Sequence, residues 1–237
     1  MFWKEWKDLS GGKGGQHKSQ AAQVEELRQI LSCSIQSGLP GLKAQINMMP
    51  QDKLSLLDTY AQKISSARKG AVSVIIFPDA EEIKFYLIRR QNRPRDIHSA
   101  QISFPGGKVE DSDASLLHTA IRETKEELDL ILNPVFVCGA LSSVYIPASH
   151  FYVTPFVLVL DKKPSVNPDP KEVSSVLEIP LNLLFMDDIK TSADFNTSYG
   201  YIRNYPCYNF KGNIVWGATA MMLAELEWLL RVQNQPF

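Results

Sequence analysis

Glu123, Glu126 and Glu127 occupy positions i, i+3 and i+4 of one predicted helix, which brings three carboxylates within a turn of each other. Such a cluster repels itself unless a hard divalent cation such as Mg²⁺ or Mn²⁺ supplies the opposite charge and takes oxygen ligands. The same ion binds phosphate oxygens, so cleavage of a diphosphate bond is the first chemistry to consider. Just upstream, Gly106-Gly107-Lys108 leads into Val109-Glu110-Asp111-Ser112-Asp113. Gly107 permits a close turn, and Lys108 can contact phosphate or the carbonyls of the loop. Arg122 can pair with Glu126 at i+4 or turn to a carboxylate on the preceding loop, orienting a metal ligand without binding metal itself. Glu127 or Glu126 can accept a proton from water.

A second group of charges precedes the turn. Arg89, Arg90, Arg93 and Arg95 are concentrated there, and guanidinium forks suit phosphate oxygens. Arg90 and Arg95 are the candidate substrate contacts. An ordinary solvated loop is the alternative for the same residues.

The elements that must hold these residues are legible in outline. Val24, Leu27, Ile30, Leu31 and Ile35 recur at helical spacing between Ala21 and Gly38, where Gly38 and Pro40 stop the helix. Leu42 to Ser66 mixes loop and helix, with Leu54, Leu57 and Tyr60 as packing residues. Residues 71–77 are β-branched and short enough for an interior strand. Pro78-Asp79 is expected to turn the chain into a partner strand over 84–88. Further strands are predicted over 135–141, over 152–160 and from Val173 to Leu177. Pro155 suggests an edge or a bulge in the second of these. Ile214 to Val232 reads as a long terminal helix. On the metal-binding helix, Leu117, Ala120, Ile121, Thr124 and Leu128 form the inward stripe. Two helical layers around a mixed sheet follow. The chain divides into a flexible segment over 1–20, a helical attachment over 21–66 and a catalytic domain over 67–237.

Composition narrows the function classes. With 25 Lys and Arg against 26 Asp and Glu, the formal charge is −1, which argues against a general nucleic-acid coat. Cys33, Cys138 and Cys207 are far apart and have no metal-binding spacing. No apolar run reaches the length of a membrane span and the start lacks a secretory apolar region, so a cytoplasmic location is expected. Ser10-Gly11-Gly12-Lys13-Gly14-Gly15 has the wrong spacing for a phosphate loop and reads as a flexible joint. The attached N-terminal helices offer a surface on which two copies can pair as a homodimer.

The glycine turn and carboxylate helix together resemble the box of the Nudix hydrolases, G-x5-E-x7-R-E-U-x-E-E-x-G-U with U aliphatic. Gly107 takes the first glycine, Asp113 the first glutamate, then Arg122-Glu123, Glu126-Glu127 and Leu130 follow. Two positions depart: eight residues rather than seven separate Asp113 from Arg122, and Asp129 replaces the last glycine. The resemblance implies an α/β/α sandwich, Mg²⁺ or Mn²⁺ on Glu123, Glu126 and Glu127, and an orienting role for Arg122. It also makes Glu172, a late-loop carboxylate, a second base or ligand candidate.

Within that superfamily the chain is similar to coenzyme A diphosphatase-like members from about residue 24 to about residue 231. Gln101-Ile102-Ser103-Phe104-Pro105-Gly106-Gly107-Lys108 carries the likeness, with Leu39-Pro40-Gly41, Ala44-Gln45, Met49-Pro50, the loop from Asn167 to Val173 and Ile214 to Ala220. His98 matches a histidine of the subfamily's loop. The subfamily's upstream pattern is altered here: Arg89, Gln91, Asn92, Asp96 and Ala100 stand where other residues are usual. The implied reaction is hydrolysis of coenzyme A or an acyl derivative to 3′,5′-adenosine bisphosphate and 4′-phosphopantetheine or its acylated form. ADP-ribose or another nucleoside diphosphate derivative is the alternative substrate, and a phosphate-ligand binding protein without turnover the alternative function.

Overall fold

The structure, a computed structural model, describes residues 19–93, 98–197 and 200–232. Arg95, Asp96, the glycine-rich stretch Ser10 to Gly15 and nearly all of the 1–20 segment lie outside them. Eleven strands are present among the described residues: β1 (Arg68–Asp79), β2 (Glu82–Arg90), β3 (Ile102–Ser103), β4 (Gly106–Lys108), β5 (Val137–Ala140), β6 (Val144–Ile146), β7 (Phe151–Val159), β8 (Val173–Pro180), β9 (Lys190–Thr197), β10 (Gly200–Phe210) and β11 (Asn213–Trp216). The helices are α1 (Gln20–Ser37), α2 (Leu42–Gln45), α3 (Gln51–Leu54), α4 (Leu57–Lys63), α5 (Leu116–Leu128) and α6 (Gly217–Val232).

Strand alternation builds the expected sandwich. In β1, Val74 and Ile76 point to one face and Ile75 and Phe77 to the other, all fully buried. The first pair packs with Leu27 and Leu31 of α1 and Leu223 and Leu226 of α6, while the second packs with Leu128 of α5. The same split separates Phe85 and Leu87 from Tyr86 and Ile88 in β2, and Val157 and Val159 from Leu158 in β7. A mixed sheet thus lies between α5 on one face and α1 with α6 on the other. Its path is β3-β2-β1-β7-β5, with β4 added to β1, β6 to β7 and β8 to β2. β1 and β7 run parallel, from Arg68 opposite Phe151 to Ile76 opposite Val159.

Three expectations are corrected, and one sheet is added that the sequence did not suggest. Pro78 and Asp79 remain in β1, paired with Ile83 and Glu82, and the turn falls after them, where Ala80 takes a positive φ of 51°. Pro155 sits inside β7 rather than at an edge. Its missing N–H falls where the neighbour changes from β6 to β5, and its carbonyl accepts from Leu141 N–H at 2.8 Å. Residues 213–216 form β11, and α6 starts only at Gly217, whose φ of 64° breaks the run. Finally, β9, β10 and β11 make a second, antiparallel sheet.

The N-terminal segment is tied to the sandwich by a buried carboxylate. Glu225 of α6, fully buried, accepts from Gly41 N–H at 3.1 Å and Gln45 Nε2 at 2.9 Å. It also accepts from Ser142 N–H at 3.2 Å and Ser142 Oγ at 2.6 Å.

Candidate active site

The carboxylate helix is α5, and its ends are defined by local chemistry. Ser115 caps the N-terminus by accepting from His118 N–H at 3.2 Å. Asp129 ends the helix in the left-handed region, at φ 54° and ψ 30°, the conformation for which glycine is usual and which Asp tolerates. Its inner face is seated on β1 by hydroxyls: Thr124 Oγ1 donates to Ser73 Oγ at 2.9 Å, and Ser73 Oγ to the Ala120 carbonyl at 3.1 Å. Thr119 is buried as well, whereas Leu117 and Ile121 of the expected stripe are only half-buried.

The turn before the helix is held by β4, whose Gly106 and Gly107 pair with Val72 and Ala71 of β1. A side chain at Gly106 would meet the Ala71 carbonyl at 2.3 Å, and one at Gly107 would meet the Glu123 carboxylate at 2.5 Å. The glycine pair is therefore the space into which Glu123 fits. Gly106 N–H donates to Glu127 Oε2 at 2.8 Å, so the turn positions both carboxylates.

Arg122 makes both pairings foreseen for it. Nε and Nη2 each reach Asp113 at 2.9 Å, Nη1 reaches Glu126 at 3.0 Å and Glu123 at 3.1 Å, and Nη2 donates to the Lys108 carbonyl at 3.0 Å. Thr119 Oγ1 adds a hydrogen bond to Asp113 at 2.8 Å, a partner the sequence did not suggest.

Glu172 arrives from far along the chain. Asn167 N–H donates to the Leu128 carbonyl at 2.8 Å and Asp169 N–H to the Glu127 carbonyl at 3.0 Å, fastening the late loop to the end of α5. Gln91 N–H then donates to the Glu172 carbonyl at 2.8 Å, and Arg93 Nη2 lies 3.6 Å from its carboxylate. Glu123, Glu127, Glu172, Arg90, Gly107 and Lys108 all line one cavity of about 730 Å³, a size suited to a small-molecule ligand. Arg90 Nη1 lies 3.7 Å from Glu127 Oε1. His98 also lines it, with Nδ1 3.1 Å from Gln101 Oε1. Arg122 and Glu126 are not part of its lining. The Glu126 side chain is half-exposed and held on Arg122. Arg89 turns away to Asn213 at 2.8 Å.

Burial shifts both cavity carboxylates of α5. Glu127 is 1% exposed, and burial pushes its carboxyl up to about 8 against the opposing pull of Gly106 N–H and Arg90. Burial also raises Glu123, with Glu126 and Glu172 adding to the effect. Among the described residues no three His, Cys, Asp or Glu side chains converge as a complete cage.

The lining also contains residues that the sequence did not place at the site: Met49, Lys53 and Tyr60 from the N-terminal segment, Tyr145 in β6, and Trp216 at the end of β11. Only the folded topology brings them here.

Residues 67–198 match the family model described as the NUDIX domain, and the chain belongs to the Nudix family. As such it is a hydrolase acting on phosphoanhydride bonds, in a family whose members generally use a divalent metal. Over 168 residues it is 29% identical to NudL of Yersinia pestis, described as an uncharacterized Nudix hydrolase, a match covering 71% of this chain and 83% of that protein. Among solved structures it is similar to the NUDIX domain of Shewanella oneidensis NrtR complexed with ADP ribose. There the identity is 19% and the TM-score 0.42, covering 56% of this chain and 87% of that one. It is also similar to a C. elegans Ap4A hydrolase, at 22% identity and TM-score 0.39, covering 48% and 80%. No helix among the described residues is long and apolar enough to cross a membrane.

Proposed function

We propose that the enzyme hydrolyses the diphosphate bond of a nucleoside diphosphate linked to a second moiety, using Mg²⁺ or Mn²⁺. The observation that carries this reading is the meeting of Glu123, Glu127 and Glu172 with Arg90 and Arg93 in one cavity. Glu123 and Glu127 would hold the cation, with water and substrate phosphate completing its shell and Glu126 beside them on Arg122. When bound, the cation polarises the phosphoryl oxygens and acidifies water. The chain's own residues set the geometry. Gly106 N–H fixes one oxygen of Glu127 and leaves Oε1 toward Arg90. Arg122, locked by Asp113, orients Glu123 and Glu126. Arg90, Arg93 and Lys108 offset the charge of the diphosphate. Glu172, the most exposed of the three cavity carboxylates and paired only loosely with Arg93, accepts the proton of the attacking water.

A second reading keeps this chemistry and makes coenzyme A or an acyl-coenzyme A the substrate. It is favoured by the apolar part of the cavity, where Met49, Val144, Ile146, Phe151 and Met221 offer a wall for an extended chain. Product analysis with ADP-ribose, coenzyme A and dephospho-coenzyme A, with chelator and then with Mg²⁺ or Mn²⁺ restored, tests both. Metal-dependent release of the two halves, each carrying one phosphate of the cleaved diphosphate, is the expected result. Saturable binding with no product under either metal would overturn catalysis in favour of ligand binding alone.

A further inference from the structure

In the interior run of β1 from Ala71 to Phe77, Ser73 alone is polar, and it is fully buried. It shares a face with Ile75 and Phe77, the face on which α5 packs. A buried hydroxyl costs free energy unless it is hydrogen-bonded, and an apolar residue would serve the core of this strand better. The partners of Ser73 show what the hydroxyl supplies instead.

Ser73 touches both halves of the metal face. Its N–H donates to the Pro105 carbonyl at 2.8 Å, one residue before Gly106, whose own N–H holds Glu127 Oε2 at 2.8 Å. Its Oγ donates to the Ala120 carbonyl at 3.1 Å and accepts from Thr124 Oγ1 at 2.9 Å. Thr124 Oγ1 also lies 2.7 Å from the Ala120 carbonyl, so two hydroxyls and one helical carbonyl close a triangle between β1 and α5. Thr124 is fully buried and directly follows Glu123. One strand residue thus registers the glycine turn through its backbone and the carboxylate helix through its side chain.

The register matters because the fit is close. The Glu123 carboxylate fills the space a side chain on Gly107 would take. Leu128 and Ile121 supply apolar grip on this face of the sheet, but apolar contact is non-directional and does not stop a helix from sliding. Gly106 N–H to Glu127 and Arg122 to the Lys108 carbonyl also join the turn to the helix. Those bonds run through side chains of the metal face itself, whereas the triangle uses groups outside it.

We infer, on the strength of the cation site proposed above, that Ser73 is a positioning residue for the cation. With Thr124, its hydroxyl sets how α5 lies on β1 and thereby how Glu123 and Glu127 are presented beside the glycine turn. The consequence is selectivity between cations. Mg²⁺ demands near-ideal octahedral geometry at about 2.0–2.1 Å, whereas Ca²⁺ accepts flexible coordination at about 2.3–2.6 Å. Loosening the helix therefore penalises Mg²⁺ more than Ca²⁺.

The test is binding of Mn²⁺ to the full chain, followed by the electron paramagnetic resonance of the free ion, with Mg²⁺ and Ca²⁺ as competitors. Ser73→Ala, Thr124→Val and Thr124→Ser are compared with wild type, and thermal melting confirms the fold. Ser73→Ala and Thr124→Val are expected to lose about fivefold or more in Mg²⁺ affinity and less than about twofold in Ca²⁺ affinity. Thr124→Ser, which keeps the hydroxyl, should retain the wild-type ratio. A lowered melting temperature with both affinities unchanged, or equal losses for the two cations, rejects the assignment and leaves the cation site intact. Should Ser73→Ala not fold, the two Thr124 variants decide. Failure of the full chain to bind Mn²⁺ overturns the cation site itself, and this inference with it.

Discussion

Asp113 and Arg122 meet as a two-point fork, Nε to Oδ1 and Nη2 to Oδ2, each at 2.9 Å. The Asp113 carboxylate is fully covered and also accepts from Glu110 N–H at 2.9 Å. One extra residue separates this pair relative to the usual Nudix spacing, and the loop takes it up before α5 begins at Leu116. A shorter acid therefore does the work of a glutamate from a slightly displaced backbone. Because Arg122 also touches Lys108, Glu123 and Glu126, the fork sets the position of the glycine turn and the helix together.

The fork has a pH signature. Its hydrogen bonds from Arg122 hold the Asp113 carboxyl far below the ordinary carboxylate range. A lowered folded-state value stabilises the native protein fully above the unfolded Asp value of about 3.9, and the contribution is lost as pH falls below it. Asp113→Asn should accordingly lower the melting temperature at pH 7, with the gap from wild type narrowing as pH drops below about 4. Melting curves from pH 7 to 3 with a constant gap would show that the ionised fork is not the source.

The two adjacent glutamates of α5 should separate in mutagenesis. Glu127→Gln alters a carboxylate buried in the cavity and bonded to Gly106, so turnover with Mg²⁺ should fall by about 10²-fold or more. Glu126→Gln alters a half-exposed partner of Arg122 and should cost less. Steady-state assays across a metal titration decide the order, and a larger loss for Glu126→Gln would reverse the donor assignment.

Glu225 should behave as a structural anchor. Glu225→Leu leaves the donors of buried Gln45 and of half-buried Gly41 and Ser142 without their acceptor, at roughly 1–3 kcal/mol for a buried group left unsatisfied. A loss of at least about 3 kcal/mol in urea denaturation is expected, with Glu225→Gln milder because the amide oxygen still accepts. Unchanged denaturation midpoints for Glu225→Leu would show that solvent replaces the carboxylate.

What the sequence made legible was short-range. The i, i+3, i+4 carboxylates, the glycine turn and the choice of partners for Arg122 depend on residues within about twenty positions, where helical spacing is informative. The alternating strands of the central sheet were equally visible, because Val74 to Phe77 bury both faces. β9 was missed for the opposite reason: most of its residues are exposed, and Lys-Thr-Ser-Ala-Asp carries no apolar rhythm. Trp216 was absorbed into the terminal helix because the apolar run continues across Gly217, whose backbone alone marks the break. Lys53 and Tyr60 could not be found by spacing at all, since no local pattern records which cavity an exposed helix overlies.

The bonds from Asn167 and Asp169 to the last carbonyls of α5 bear on how this scaffold can be re-engineered. A loop transplanted from another protein between β7 and β8 would have to reproduce those two donors, or it would fray the helix that carries Glu127. Retargeting the substrate through that loop is therefore coupled to loss of the reaction. The strap from Gln51 to Ser66, which buries no side chain in either of its helices, is the segment whose exchange leaves the catalytic helix untouched.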